Sequence, residues 1–133
     1  MANIRVWLFI ESENLSVTQM SQRIGVSCDQ SWIKGEPRGR TGKVFSTNSW
    51  KMEAYSEVEE NPIKVGDMVV ACLHEVLGRI NGHVEHFRSL ASDQKSGLYI
   101  GVSANSAPAL EFKAETIKAI SALGVDLELD LVL

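Results

Sequence analysis

The clearest periodic pattern in the chain is in residues 61–82, NPIKVGDMVVACLHEVLGRING. Asn61-Pro62 breaks the chain before the periodic run, and Asn81-Gly82 ends it. Within the run, apolar side chains recur at intervals of three and four residues: Val65, Met68, Val69, Cys72, Leu73, Val76, Leu77 and Ile80. The pattern predicts a helix of about 17 residues whose wide apolar face must be covered by the rest of the domain.

Two apolar stretches predict the interior strands of a sheet that covers this helix. Residues 1–10 alternate, with Ile4, Val6, Leu8 and Ile10 on one face. Trp7 and Phe9 are also apolar, so both faces of that strand are expected to be buried, with Trp7 in the core. Residues 98–104 show the same character.

Two further strands have one polar face and are expected at the periphery. Residues 43–52, which can extend to Tyr55, have the mixed polarity of an exposed edge strand. Residues 125–133 alternate strictly between apolar side chains and Asp126, Glu128 and Asp130. We expect this last strand to have one buried face and one solvent-exposed face.

Three shorter helices complete the prediction, over about residues 16–24, 83–92 and 114–123. The order β-α-β-α-α-β-α-β predicts a single α+β domain spanning residues 1–133. This order of elements fits a ferredoxin-like or related two-layer sandwich, with about four main strands, helices on one face and an extra helical segment after the long helix. A mixed-sheet α/β sandwich of another topology remains the alternative.

Composition excludes several classes of protein. The 133 residues are 44% hydrophobic and carry a net charge of −4, which argues against intrinsic disorder. No apolar run approaches the length of a membrane span, and no signal peptide is visible. The two cysteines, Cys28 and Cys72, form no disulfide framework. A soluble cytoplasmic protein is therefore expected.

Four segments together resemble a known bacterial family. They are the opening strand with a short helix ending at Gly25-Val26, the segment 32–37 (WIKGEP), the segment Asn48-Ser49-Trp50, and the ending 123–130 (LGVDLELD). This pattern is similar to the domain of unknown function family numbered 4279, over nearly the whole chain. The resemblance implies a small α+β domain with no established activity, and it carries no catalytic residues that can be transferred to this chain.

Charge is unevenly distributed along the chain. Residues 30–52 have a net charge of +4, so the rest of the chain has −8. The segment KGEPRGRTGK, residues 34–43, lacks the residues and the following helix of a phosphate-binding P-loop. Its cations and the two tryptophans that flank it have the composition of an interaction hot spot. These candidate binding residues are Trp32, Lys34, Arg38, Arg40, Lys43 and Trp50. The simpler interpretation is a soluble surface loop, with each tryptophan covering the core and its N–H bonded locally.

No catalytic constellation, metal site or cofactor is predicted. His83 and His86 are spaced for one helix face, but they lie at a helix boundary and are interpreted as exposed. Asp126, Glu128 and Asp130 are interpreted as the solvent side of a strand, where they also discourage edge-to-edge pairing.

These observations favour a small non-catalytic cytoplasmic interaction domain that binds a protein or peptide partner, with an immunity-type inhibitor as one form. The alternative is a small-molecule or anion-binding protein, or an enzyme, that uses the basic glycine-rich loop. No membrane contact is expected, and the acidic balance makes a nucleic-acid partner a poor fit. A homodimer through the final strand remains open.

Overall fold

The computed structural model describes residues 1–133 as an α+β protein with five strands and four helices. In chain order these are β1 (Ala2–Ser12), α1 (Val17–Ile24), β2 (Gln30–Trp32), β3 (Asn48–Val58), α2 (Pro62–Ile80), α3 (Val84–Ala91), β4 (Lys95–Ser103), α4 (Ala114–Ala122) and β5 (Asp126–Val132). The long helix and the three shorter ones lie where the periodicity predicts them.

The strands form one mixed sheet in the order β2-β3-β1-β4-β5. β1 is the middle strand and pairs antiparallel with β3 on one side and β4 on the other. β5 joins β4 in parallel, through the crossover helix α4. The interior position predicted for the first and third strands of the sequence pattern is confirmed.

Local sequence accounts for the helix ends. Ser16 caps α1 by accepting from the Gln19 backbone N–H, while the Gln19 side chain accepts from the Ser16 N–H. Asn61 caps α2 by accepting from the N–H groups of Ile63 and Lys64, with Pro62 in the first turn. None of the helices is both long enough and apolar enough to span a membrane.

The core lies between the helices and one face of the sheet. It is a single cluster of 25 buried side chains, to which β1 contributes Ala2, Ile4, Val6, Leu8 and Ile10. The apolar stripe of α2 covers this face, with Val65, Val69, Cys72, Leu73, Val76 and Ile80 buried, as predicted. Burial raises the pKa of the Cys72 thiol, as expected for a small core residue.

The other face of the sheet is not covered by helices, and it carries the odd-numbered residues of β1 and β3. Trp7 and Phe9 lie there, half-buried, and neither belongs to the core cluster. The expectation that Trp7 is a core residue is therefore wrong. Periodicity alone misleads here because large aromatic side chains on an uncovered sheet face bury one another. We call this surface the open sheet face.

The second predicted strand differs most from the structure. β3 begins at Asn48 rather than near residue 43, and it runs to Val58. It is also not an edge strand at its start, because the three-residue strand β2 pairs with Ser49, Trp50 and Lys51. The sequence predicts no strand at residues 30–32, since three residues are too few to show an alternating pattern.

The last strand forms an edge of the sheet, as predicted, but neither of its faces is buried. All seven residues of β5 are exposed. The apolar row that was expected to be covered, Leu127, Leu129 and Leu131, is 40–48% exposed.

Candidate functional site

The glycine-rich segment forms an ordered hairpin that projects from the sheet. The Gly35 N–H donates to the Phe45 carbonyl at 2.9 Å, and the Arg38 N–H donates to the Lys43 carbonyl at 2.8 Å. At the tip, Thr41 Oγ1 donates to the Arg38 carbonyl at 2.9 Å. Gly39 and Gly42 both have positive φ, which lets the chain reverse there without strain. We call residues 33–45 the basic hairpin.

All four cations of the basic hairpin are exposed, and none forms an ion pair: Lys34, Arg38, Arg40 and Lys43. Glu36 is the one acidic residue on the hairpin. The hairpin therefore presents a net charge of +3 on a protein whose total is −4. Such a local excess attracts an anionic surface and speeds its association.

An aromatic pair forms the base of the basic hairpin. The rings of Trp32 and Phe45 stack with their centroids 5.0 Å apart and an interplanar angle of 6°. The Lys34 N–H donates to Asn48 Oδ1, and Asn48 Nδ2 donates to the Leu15 carbonyl. These bonds attach the hairpin to the sheet and to the loop before α1, so its base has a fixed position.

Trp50 does not join this surface. Its side chain is fully buried, packs 6.0 Å from the Phe87 ring and donates through Nε1 to the Val26 carbonyl at 3.1 Å. Trp50 stands opposite the core residue Ile10 in the pairing of β1 and β3, so it points to the helix side of the sheet. Its place in the core, with a locally bonded N–H, is the simpler of the two interpretations given above.

Lys51 links the hairpin base to the open sheet face. Its ammonium lies 3.8 Å from the centroid of the Trp7 ring and 4.6 Å from that of Trp32. The residue is only 5% exposed. Burial lowers the pKa of Lys51, an effect that Glu53 partly opposes. Contact with two aromatic faces stabilises a cation in such a position.

The aromatic surface continues across β1 and β4. Trp7 and Tyr99 stack with their centroids 4.7 Å apart, and the Tyr99 hydroxyl donates to Asp130 on β5 at 2.9 Å. Burial raises the pKa of Tyr99, and this hydrogen bond raises it further. The open sheet face thus holds a row of three rings, with Lys51 between Trp32 and Trp7 and with Tyr99 stacked on Trp7.

Other candidate residues have partners or lie apart. A groove of about 430 Å³ lies between α2 and α4, and two of its polar side chains, His74 and Thr116, are hydrogen bonded to each other at 2.9 Å. No group of three His, Cys, Asp or Glu side chains is arranged to hold a metal ion, and His83 packs against Gly25. Cys28 is half-buried against the core, and Cys72 lies within it.

Five of the six sequence-predicted residues lie on the basic hairpin or at its base: Trp32, Lys34, Arg38, Arg40 and Lys43. Sequence reasoning missed Trp7, Phe45 and Tyr99, which complete the aromatic surface. The available signal was the apolar character of both faces of β1 in a protein whose helices were expected on one face only. When helices cover only one face of a sheet, a strand that is apolar on both faces must leave some of its apolar side chains on the uncovered face.

Comparison with known proteins agrees with the family resemblance found in the sequence. We find no significant match to the chain among curated proteins or among solved structures. A family model described as Domain of unknown function (DUF4279) matches residues 2–133, essentially the whole chain. The protein belongs to this family.

Proposed function

We propose that the protein is a non-catalytic interaction domain that binds a protein or peptide partner through the basic hairpin and the adjoining open sheet face. The observation that carries this proposal is the group of four unpaired cations on an ordered hairpin, beside a half-buried tryptophan. Tryptophan and arginine are the residues most enriched at the energetic centres of protein interfaces.

The same features indicate the chemistry of the partner. A partner with an acidic patch would be steered to the hairpin and would then contact the Trp32–Phe45 pair. Ile33 and Val44, which are 50% and 57% exposed, add apolar area at the same place. An immunity-type inhibitor is one form of such a domain, because it needs a charged surface and a stable core rather than a reaction centre.

The arrangement of the site favours binding over covalent chemistry. Ser49 and Lys51 lie on the same face of β3, but Ser49 Oγ makes no hydrogen bond with a base that would activate it. The Asp29 carboxylate is engaged by both terminal nitrogens of Arg79 at 2.6 and 2.7 Å. That contact is structural, since it ties the segment before β2 to α2.

We also propose that the fold is a ferredoxin-like two-layer sandwich with additions. The elements β1-α1-β2-β3-α2-β4 follow the β-α-β-β-α-β order of that architecture. α3 is then an insertion after α2, while α4 and β5 extend the sheet at its β4 edge. A solved structure of a relative that lacks α4 and β5 and keeps the order β2-β3-β1-β4 would support this assignment.

The proposed setting is the bacterial cytoplasm. Both cysteines are free, which suits a reducing compartment. Fractionation of the source cells tests this setting. We expect to recover the protein in the cytoplasmic fraction, and recovery with membranes or with secreted protein would contradict the proposal.

The test is affinity capture with immobilised protein from extracts of the source cells, followed by mass spectrometry. The variant Arg38→Glu/Arg40→Glu reverses two hairpin cations. The control Arg23→Glu/Lys118→Glu reverses two exposed cations on α1 and α4, and it brings the net charge from −4 to the same −8. We expect the hairpin variant to lose the partner and the control to keep it, with capture by the wild type weakening as salt rises.

Equal capture by the wild type and both variants would contradict the assignment of the contact surface. Loss of the partner in both variants alike would show that total charge, rather than the hairpin, determines capture, and would also contradict the assignment.

A second candidate function follows from the same unpaired cations, namely a small-molecule or anion-binding protein, or an enzyme that uses the hairpin. Thermal denaturation with nucleotides, phosphorylated metabolites and divalent metals distinguishes it. The interaction-domain proposal predicts no shift in Tm for any of them. A shift that disappears in Arg38→Glu/Arg40→Glu would favour the second candidate.

A further inference from the structure

The outer edge of β5 carries backbone groups that have no neighbouring strand. The Val132 carbonyl accepts from the Ala104 N–H at 3.0 Å, so Val132 directs its backbone groups toward β4. Successive residues of a strand direct their N–H and C=O groups to opposite edges. The groups of Leu127, Leu129 and Leu131 therefore point away from β4, to the side where the sheet ends. An added strand could pair with them.

This edge is long and regular. β5 pairs with β4 over seven consecutive residues without a bulge, and its sequence, DLELDLV, contains no Pro, Gly or Lys. Proteins usually protect an edge from pairing with a short strand, a bulge, a proline or a lysine. The opposite edge of the sheet has such a device, because β2 is only three residues long. β5 is therefore suited to the addition of a strand.

The two faces of β5 carry side chains of different chemistry. The leucines stand beside residues of β4 whose side chains belong to the core, so they lie on the helix side of the sheet, although they are 40–48% exposed. The residues between them point to the open sheet face, and none forms an ion pair. We call these sets the leucine row (Leu127, Leu129 and Leu131) and the acidic row (Asp126, Glu128 and Asp130).

We propose that the outer edge of β5 binds an extended segment of a partner protein in which apolar residues alternate with Lys or Arg. The segment would join the sheet as an antiparallel strand, the slightly more stable of the two pairings. Its apolar side chains would cover the leucine row, and its cations would stand opposite the acidic row. The basic hairpin adjoins the other end of the sheet, so this inference goes beyond the proposed function and does not depend on it.

The charge and the backbone groups of β5 disfavour other occupants. A second copy of β5, paired antiparallel with its faces matched, would place like charges opposite one another along the acidic row. A segment that alternates apolar and acidic residues would meet the same repulsion. A lipid surface offers no alternating N–H and C=O groups for the edge to pair with. A basic and apolar strand satisfies the backbone, the leucine row and the acidic row together.

Fluorescence anisotropy with labelled synthetic peptides tests the charge pattern. The probe is a peptide as long as β5 in which valine and lysine alternate. One control alternates valine and glutamate, and another has the composition of the probe with its lysines in one block. We expect saturable binding of the probe and binding at least about tenfold weaker for both controls.

N-methylated peptides test the pairing of backbones in the wild-type protein. In an antiparallel pair, the residues opposite the leucine row direct their N–H groups toward β5. Methylation of the valine N–H groups of the probe should therefore abolish binding, whereas methylation of the lysine N–H groups should preserve it. On the protein, Leu129→Pro removes an outward N–H without breaking a bond to β4, and it should also abolish binding.

A charge-swapped variant tests the acidic row. Asp126→Lys/Glu128→Lys/Asp130→Lys should bind the valine–glutamate peptide and lose the valine–lysine probe. The control Glu13→Lys/Asp67→Lys/Asp93→Lys changes the net charge equally at exposed positions elsewhere and should keep the preference of the wild type. Arg38→Glu/Arg40→Glu should bind the probe as tightly as the wild type does.

Amide hydrogen exchange, followed by NMR, locates the contact. The N–H groups of Leu127, Leu129 and Leu131 should exchange fast in the protein alone and slowly with the probe bound. If they are already protected in the protein alone and it sediments as a dimer, a second copy occupies the edge and the proposal is wrong.

Three results with the peptides would overturn the proposal: no binding of the probe, equal binding of the valine–glutamate peptide, or equal binding of the two N-methylated peptides. The proposed function is separable from it. If Arg38→Glu/Arg40→Glu keeps both its captured partner and the probe, the hairpin contact is wrong and the strand-addition site stands. If the wild type captures a partner that this variant loses but does not bind the probe, the strand-addition site is wrong and the hairpin contact stands.

Discussion

The three tryptophans are divided between the two faces of the sheet, although each belongs to a strand. Trp50 points to the helix side and is fully buried, whereas Trp7 and Trp32 lie on the open sheet face around Lys51. The difference comes from register, because neighbouring residues of a strand point to opposite faces. Ser49 and Lys51 are one residue away from Trp50, and both face the other side. When both faces of a strand are apolar, its sequence does not show which face the helices cover.

Gly66 and Gly78 in α2 provide a matched pair for the packing of the helical layer. A Cβ at Gly66 would overlap the Ala109 carbonyl oxygen, whereas one at Gly78 would meet nothing within 4 Å. We expect Gly66→Ala to lower the free energy of unfolding by about 1–3 kcal/mol through steric overlap. Gly78→Ala should raise it by about 0.5–1 kcal/mol, because alanine favours the helix. Urea denaturation measures both.

If Gly66→Ala proved as stable as Gly78→Ala, the close approach of the segment that carries Ala109 to the first turns of α2 would be contradicted. The hydrogen bond from the Ala109 N–H to the Pro62 carbonyl, 3.0 Å long, places that segment there.

The Asp29–Arg79 contact predicts a pH dependence. The hydrogen bonds from Arg79 lower the pKa of Asp29 below its ordinary value of 3.8. A lowered pKa in the folded protein adds stability that is complete above the unfolded-state value and is lost as the pH falls through the folded-state value. Because both side chains are about one-third exposed, the contribution near pH 7 is expected to be modest, about 0.5–1 kcal/mol.

Asp29→Asn should therefore be less stable than the wild type near pH 7, with the difference shrinking as the pH falls below about 4. Urea denaturation at several pH values measures this. A difference between the two proteins that stays constant down to strongly acidic pH would contradict an ionic origin.

At the scale of elements, the long helix and β1 could be predicted well because each carries many residues of one period. α2 shows its stripe over four turns, and the buried face of β1 follows from its alternation. The segment between Gln30 and Asn48 could not be predicted in the same way. It contains a three-residue strand and a hairpin whose geometry depends on glycine turns and long-range hydrogen bonds. Long-range hydrogen bonds leave no periodic pattern in the local sequence.

β5 leads to a prediction about self-association. Its outer edge is unpaired, and its leucine row is exposed, which are features that favour pairing with another strand. Two copies of β5 paired antiparallel with their faces matched would set Asp126, Glu128 and Asp130 against the same residues of the partner copy. Like charges directly opposite one another cost about 0.2–1 kcal/mol for each pair. The acidic row therefore opposes a homodimer through this edge.

Neutralising that row with Asp126→Asn/Glu128→Gln/Asp130→Asn should strengthen self-association by about tenfold, on the scale of 1.4 kcal/mol per factor of ten. Sedimentation velocity at several protein concentrations measures it. Glu13→Gln/Glu85→Gln/Glu115→Gln, which changes the charge equally at exposed sites elsewhere, is the control. If the two triple variants associate to the same extent, the acidic row does not govern this edge.

At the scale of the whole molecule, the protein is a two-layer structure with two unlike surfaces. Helices cover one face of the sheet, and the other face is left with aromatic rings, cations and the unpartnered polar atoms. The net charge of −4 conceals this division, because the basic hairpin carries four of the 13 Lys and Arg residues and only one carboxylate. From sequence, the basic segment and Trp32 could be identified, while the rings that complete the surface required the register of β1 with β3 and β4.

The most direct test of this account is amide hydrogen exchange of the wild-type protein alone and in complex with the partner that it captures. We expect slower exchange in the complex over the basic hairpin and over the first half of β3, near Lys51. α2 and α4, on the helical side, should exchange as in the free protein. Protection confined to the groove between α2 and α4, with the hairpin unchanged, would contradict the claim that the open sheet face is the functional surface.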